Sequence, residues 1–157
     1  FIDALSGTAR TAVKSALEYK ASSAGRLMQR EIVTAPEHFN VGNAIDLMRS
    51  KEDLPKDFYE IIVVDPKFRP KGVVPLGKLV ASKRDIRLQD ISSTAFRSIP
   101  VTQSQDDVAY AFNQYHMVSA PVINEDGRLV GVITIDDAMN VLEDETEEEY
   151  EKDGWPW

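Results

Sequence analysis

The sequence predicts an α/β (α+β) fold in which two β-α-β-β-α units pack around a pseudo-two-fold axis behind one leading helix. Three observations predict it. From residue 26 onward the chain repeats itself in units of about 60 residues. Its candidate strands are short, rich in Val and Ile, and bounded by turn residues such as Asp126-Gly127. Between strands lie stretches of helical apolar spacing, which call for a right-handed crossover onto a shared sheet.

At the start, Phe1, Ile2, Leu5, Ala9, Val13, Ala16 and Leu17 follow helical spacing, and Ser6 is placed to cap a helix over roughly 8–19. One amphipathic helix cannot bury its own stripe, so it needs the rest of the chain, a partner or a preceding domain. In the first copy, Ile32-Val33-Thr34 and Pro36 form a short strand and Val41 to Met48 a helix. Ile61-Ile62-Val63-Val64 then form a buried strand ending at Asp65, Lys67 to Arg69 a turn, and Gly72-Val73-Val74 a second strand leading into a helix from Pro75-Leu76-Gly77-Lys78. The second copy runs in parallel: Ile99-Pro100, a helix through Val108 and Phe112, Ala120-Pro121-Val122-Ile123-Asn124, the turn Glu125 to Arg128, and Gly131-Val132-Ile133-Thr134-Ile135. Each unit alone would leave a sheet face bare, so the two must cover one another.

With 157 residues and 43% apolar side chains the chain suffices for one folded module. Zero cysteines exclude a disulfide scaffold, a thiolate metal site and cysteine chemistry. No apolar run approaches the ~18–20 residues that cross a bilayer. Beginning at Phe1 with no charged-then-apolar leader, the chain reads as a segment of something longer. Of the net charge of −8, residues 143–153 carry most, with eight acids and one lysine. The remaining body is near neutral and offers no basic patch for phosphate backbones, which excludes nucleic acid as a partner. The acidic end attracts cations or a basic surface.

The paired Gly-Val-Val and Gly-Val-Ile strands, and Gly131-Val132-Ile133-Thr134-Ile135-Asp136-Asp137 above all, resemble a tandem pair of CBS domains. Ser22-Ser23-Ala24-Gly25-Arg26-Leu27-Met28 is similar to the junction into the CBS pair of MgtE-type magnesium transporters, and Asp136 to Glu145 resembles the acidic helix that leaves it. The resemblance implies a terminal helix of a preceding helical domain over 1–22, CBS domains over 23–85 and 86–145, and an acidic extension over 146–157 towards a transmembrane domain. It further implies a homodimeric regulatory region, not an enzyme, on the cytoplasmic side of the inner membrane. There, Mg²⁺ binding favours a compact dimer that closes the pore. Glu151 to Trp157 depart from that pattern.

Two constellations carry chemistry. Mg²⁺ takes oxygen ligands and keeps much of its water, so one or two carboxylates at each position suffice. Asp136, Asp137, Asp144, Glu145, Glu148 and Glu149 are the candidate metal residues, several grouped on one helical face by i, i+3, i+4 spacing. The same run also reads as a solvated charged face. Asp65 and Asp126, in strand-end turns, are weaker companions, since Asp serves turns for backbone reasons. The second constellation is Thr134 with Asp137, the mark of an adenine nucleotide such as ATP in CBS pairs, the hydroxyl for phosphate and the carboxylate for ribose. Thr-x-x-Asp equally reads as a capping box. The matching stretch of the first copy, Pro75 to Lys78, has neither group, so at most one good nucleotide site survives. His38 and His116 have no acid–base partner at a motif spacing, and Tyr110, Phe112 and Tyr115 read as core and interface aromatics.

Overall fold

A computed structural model describes residues 19–141. The helix expected over 8–19 falls almost wholly outside them, and Asp144, Glu145, Glu148, Glu149 and the rest of the acidic extension lie outside them entirely.

Two three-stranded sheets form, one from each copy, with strands in chain order. In the first, β1 (Thr34–Pro36) runs parallel to β2 (Glu60–Val64), which pairs antiparallel with β3 (Pro70–Pro75). In the second, β4 (Ile99–Pro100), β5 (Ser119–Ile123) and β6 (Leu129–Thr134) repeat that arrangement. The correspondence extends to register: Glu60 faces Pro75 as Ser119 faces Thr134, Val63 faces Gly72 as Val122 faces Gly131, and both hairpins slip register one residue beyond. β1 sits two residues later than the apolar run at Ile32 suggests. Ile32 packs instead between the two halves, and Pro36, without an N–H to donate, ends the edge strand.

Helix α1 covers Ala24–Leu27, α2 Val41–Ser50, α3 Leu76–Ala81, α4 Leu88–Ile91 and α5 Gln105–Tyr115; a last helix, α6, begins at residue 135 and continues to 141. Local chemistry sets the ends. Asn40 and Asn43 cap α2 reciprocally, each side-chain oxygen accepting from the other's backbone N–H at 2.7 and 3.0 Å, which satisfies donors that a helix start leaves orphaned. Ser104 accepts from the Asp107 N–H to start α5, Asp106 and Asp107 complement its dipole, and His116 ends it in the left-handed region at φ 51°.

Each half has its own core. Val33, Ala35, Val41, Ala44, Ile61, Val63, Val74, Leu79 and Leu88 fill the first, and Ala24, Met28, Ile99, Val108, Phe112, Val122, Ile133 and Ala138 are among those that fill the second. A third cluster of Ile62, Val64, Val73 and Leu129, with Ile32, Phe96 and Val132 against it, joins the sheets. Packing crosses the boundaries drawn on the sequence. The lead-in to the first copy docks on the second sheet, where Gln29 exchanges backbone hydrogen bonds with Val132 at 2.8 and 2.9 Å. Reciprocally, the lead-in to the second copy docks on the first, with Leu88 fully buried there and Ser93 exchanging bonds with Val73 at 2.9 and 3.0 Å. The halves are therefore interlocked through their leading segments.

The aromatic expectation divides. Phe112 is core, but Tyr110 and Tyr115 are exposed: Tyr110 stands a two-residue step from both Val108 and Phe112, on the opposite side of α5, whereas Tyr115, on the Phe112 side, lies in the last turn under the Arg97 guanidinium. Both histidines are exposed. Asp65 is absorbed by its turn: the carboxylate accepts from the N–H groups of Lys67 and Arg69 at 2.9 Å and from Arg69 Nε at 3.0 Å. In the second hairpin Asn124 does this work, accepting from the N–H groups of Asp126 and Arg128, and leaves Asp126 exposed in solvent. The hydrogen bonds from Arg69 and the charge of its guanidinium hold the Asp65 carboxyl below its ordinary value, against the effect of burial. A depressed carboxylate pKa contributes stability that is present above the unfolded value and lost as pH falls through the folded one. Asp65→Asn should therefore lower the melting temperature at neutral pH and flatten its fall below about pH 4. A wild-type-like acid profile in the variant would exclude this role.

Candidate functional site

The pseudo-two-fold arrangement creates two related regions where β-strand ends, a lead-in segment and a helix start converge. Around Thr134, the N–H and Oγ1 of Thr134 both donate to Asp137 Oδ2, at 3.2 and 3.1 Å, and Gln29 Nε2 donates to the same oxygen at 3.2 Å. Thr134 is almost fully buried. Asp137 thus caps α6 and, through Gln29, ties the helix start to the lead-in of the other half. One residue earlier, Asp136 Oδ2 accepts from the Tyr59 hydroxyl at 2.6 Å, a contact between the first copy and α6. That hydrogen bond, then desolvation, then the negative charges of Asp136, Asp57 and Asp137, hold the Tyr59 phenol above its ordinary range.

Of the sequence-predicted site residues, the structure brings Thr134 and Asp137 into direct contact and sets Asp136 beside them on a different partner. Among the described residues no group of three or more His, Asp or Glu side chains is placed to hold a metal ion. Asp136 and Asp137 each spend one oxygen on the hydrogen bonds above, and their remaining oxygens suit the one or two carboxylate ligands that a hydrated Mg²⁺ takes. Asp65 and Asp126 stand at the hairpin turns and do not join them.

The other region, at the end of β3, is a cleft of about 350 Å³ lined by residues including Glu60, Pro75, Arg97, Tyr115 and Ser119. Glu60 Oε2 accepts from Ser119 Oγ at 2.9 Å, joining β2 to β5. Burial pushes the Glu60 carboxyl up, and the Ser119 bond pulls it partly back. The Arg97 guanidinium carbon lies 3.5 Å from the Tyr115 ring centroid. Reading the sequence missed Gln29, Tyr59, Glu60 and Arg97. Glu60 was within reach, since it occupies in the first copy the position of Ser119 in the second. Gln29 and Tyr59 act across the interface and carry no local signal.

Duplicated three-stranded units with exchanged lead-ins and a Thr-x-x-Asp helix start define a paired, pseudo-symmetric two-sheet module. The sequence pattern of the CBS domain matches residues 24–85 and 88–144, and the chain belongs to the CBS domain family. More particularly, it is 33% identical over 152 residues to the magnesium transporter MgtE of Thermus thermophilus, covering 97% of this chain and 34% of that protein. To MgtE of Bacillus subtilis it is 30% identical over 141 residues, covering 90% and 31%. The chain thus spans about a third of the length of these curated relatives. Among solved structures it is similar to the cytosolic domain of the Mg²⁺ channel MgtE in complex with ATP, with TM-score 0.83 and 31% identity, covering 89% of this chain and 56% of that one. It is also similar to the soluble part of a magnesium transporter, with TM-score 0.85 and 29% identity, covering 92% and 56%.

Proposed function

We propose that this chain is a non-enzymatic, Mg²⁺-sensing regulatory part of a magnesium transporter or channel, working as a homodimer on the cytoplasmic side of the membrane. The observation that carries the reading is the similarity to MgtE proteins along nearly the whole chain, at about a third of their length. The site supports it physically. Asp136 and Asp137 open the helix that leads into eight acids and one lysine over 143–153, and like charges so placed repel until a cation offsets them. Through Tyr59 and Gln29 that helix start is fastened to the other half of the module, so a change in its position is transmitted across both halves. Mg²⁺ that binds the compact dimer better than the open form shifts the population towards it by the difference in affinity, and the compact form holds the pore closed.

The test is a melting and small-angle scattering titration of the chain between chelator and millimolar Mg²⁺. Binding to the folded state raises stability by about 2.7 kcal/mol when the ion is at a hundredfold excess over its Kd. The melting temperature should rise and the dimer contract, and both responses should weaken in Asp136→Asn/Asp137→Asn. Neither quantity moving would end the proposal.

A second reading, adenine-nucleotide sensing at Thr134 and Asp137, is favoured by the hydroxyl and carboxylate standing together at a helix start and by the ATP complex of the similar cytosolic domain. The residues fit in part: Asp137 supplies an acceptor for ribose hydroxyls, but a ligand must compete with Thr134 and Gln29 for it. Calorimetry should then show ATP binding that Thr134→Ala weakens.

A further inference from the structure

The cleft at the end of β3 is the pseudo-symmetric counterpart of the Thr134 region, and its donor set does not suit a nucleoside phosphate. Register fixes the correspondence: Pro75 stands where Thr134 stands, and therefore Lys78 stands where Asp137 stands. Pro75 brings neither a hydroxyl nor a backbone N–H. Lys78 cannot accept from a ribose diol, the task that a carboxylate performs in nucleotide sites. The acid that does line the cleft, Glu60, already accepts from Ser119, and its charge would repel phosphate groups. The aromatic face that a base would stack on, Tyr115, is covered by the Arg97 guanidinium at 3.5 Å. A base could reach that ring only by displacing the cation, and stacking on it is worth about 1–3 kcal/mol.

We infer that this cleft is closed to adenine nucleotides and serves as a joint between the two halves, because Pro75 and the Arg97–Tyr115 stack line it and Lys78, at the position equivalent to Asp137, supplies no acceptor. The Glu60–Ser119 bond crosses from β2 to β5, and the Arg97–Tyr115 stack ties the segment before β4 to the end of α5. The two clefts of the pair are then chemically different: one able to offer a hydroxyl and an acid to a ligand, the other lined by groups already paired with one another.

Photolabelling the 157-residue chain with 8-azido-ATP and mapping the products by mass spectrometry tests this without any substitution. Saturable label on Arg97 or on Tyr115 to Val118, competed by ATP, would overturn the inference; no competed label there supports it. Calorimetry with ATP adds the residue assignment. Asp137→Asn, which spares this cleft, should show no saturable binding, and adding Pro75→Thr, Lys78→Asp and Arg97→Ala to it should tighten ATP binding by at least about tenfold. Saturable binding in Asp137→Asn that is lost on Arg97→Ala would mean that the cleft is open. A folded quadruple variant, checked by circular dichroism, that stays as inert as its parent would remove these residues as the cause.

Discussion

Phe112→Ala should lower the stability of the module by about 3–5 kcal/mol, the cost of emptying a buried aromatic site that cannot fully collapse. Phe112 is 3% exposed and packs in the second core with Val108, Val122, Ile133 and Ala138, so the void opens between α5, the sheet and α6. Tyr110→Ala, two positions away and 65% exposed, should stay within about 0.5 kcal/mol of the parent. Equilibrium denaturation of the two variants measures the contrast directly. Equal losses would mean that Tyr110 is buried in solution by a contact of α5 with a second copy, and repeating the measurement at several protein concentrations would show it. Because α6 lies over this core through Ala138, the Phe112 variant should also blunt any Mg²⁺-dependent rise in melting temperature.

Gly131→Val should be the more damaging of the glycine substitutions. A Cβ at residue 131 would lie 2.4 Å from Met28 Sδ and 2.9 Å from the Gln29 carbonyl oxygen. The methionine can yield, but the carbonyl belongs to the backbone pair that docks the lead-in on β6. Overpacking of this kind costs about 1–3 kcal/mol, which for a chain of this size lowers the melting temperature by roughly 2–12 °C. Gly77→Ala is the control: a Cβ there meets nothing within 4 Å, and alanine favours the helix interior by about 0.5–1 kcal/mol. A Gly131 variant that melts with the parent would mean that the lead-in is not held against β6 in solution.

Much of the architecture was legible beforehand because it is written in local periodicity. Ile61 to Val64 and Ala120 to Ile123 are apolar runs of strand length next to turn residues, and hydrophobic pattern with turn chemistry is enough to place hairpins. Of the α5 aromatics read as core and interface residues, Phe112 is core, whereas Tyr110, set opposite Phe112 by helical phase, is exposed in the single chain and Tyr115 carries the Arg97 guanidinium. The turn acid was placed at Asp126, whereas Asn124 holds the acceptor position that Asp65 holds in the first hairpin. Of the candidate site, Thr134 and Asp137 were legible as a spaced motif. Gln29, which meets Asp137, and Tyr59, which meets Asp136, were not, since residues 108 and 77 positions apart come together only after both halves have folded.

The sequence by itself determined the duplication, the strands and helices, the missing hydroxyl and carboxylate at Pro75 and Lys78, and the placement of charge at the acidic end. All of these follow from which residue types succeed one another along the chain. The tertiary structure alone decided that each lead-in docks on the opposite sheet, that Asp136 and Asp137 turn to different partners, and that Glu60 and Arg97 occupy the first cleft. Burying the bare face of one sheet against the other brings distant segments together, and no short-range pattern encodes which of them will touch.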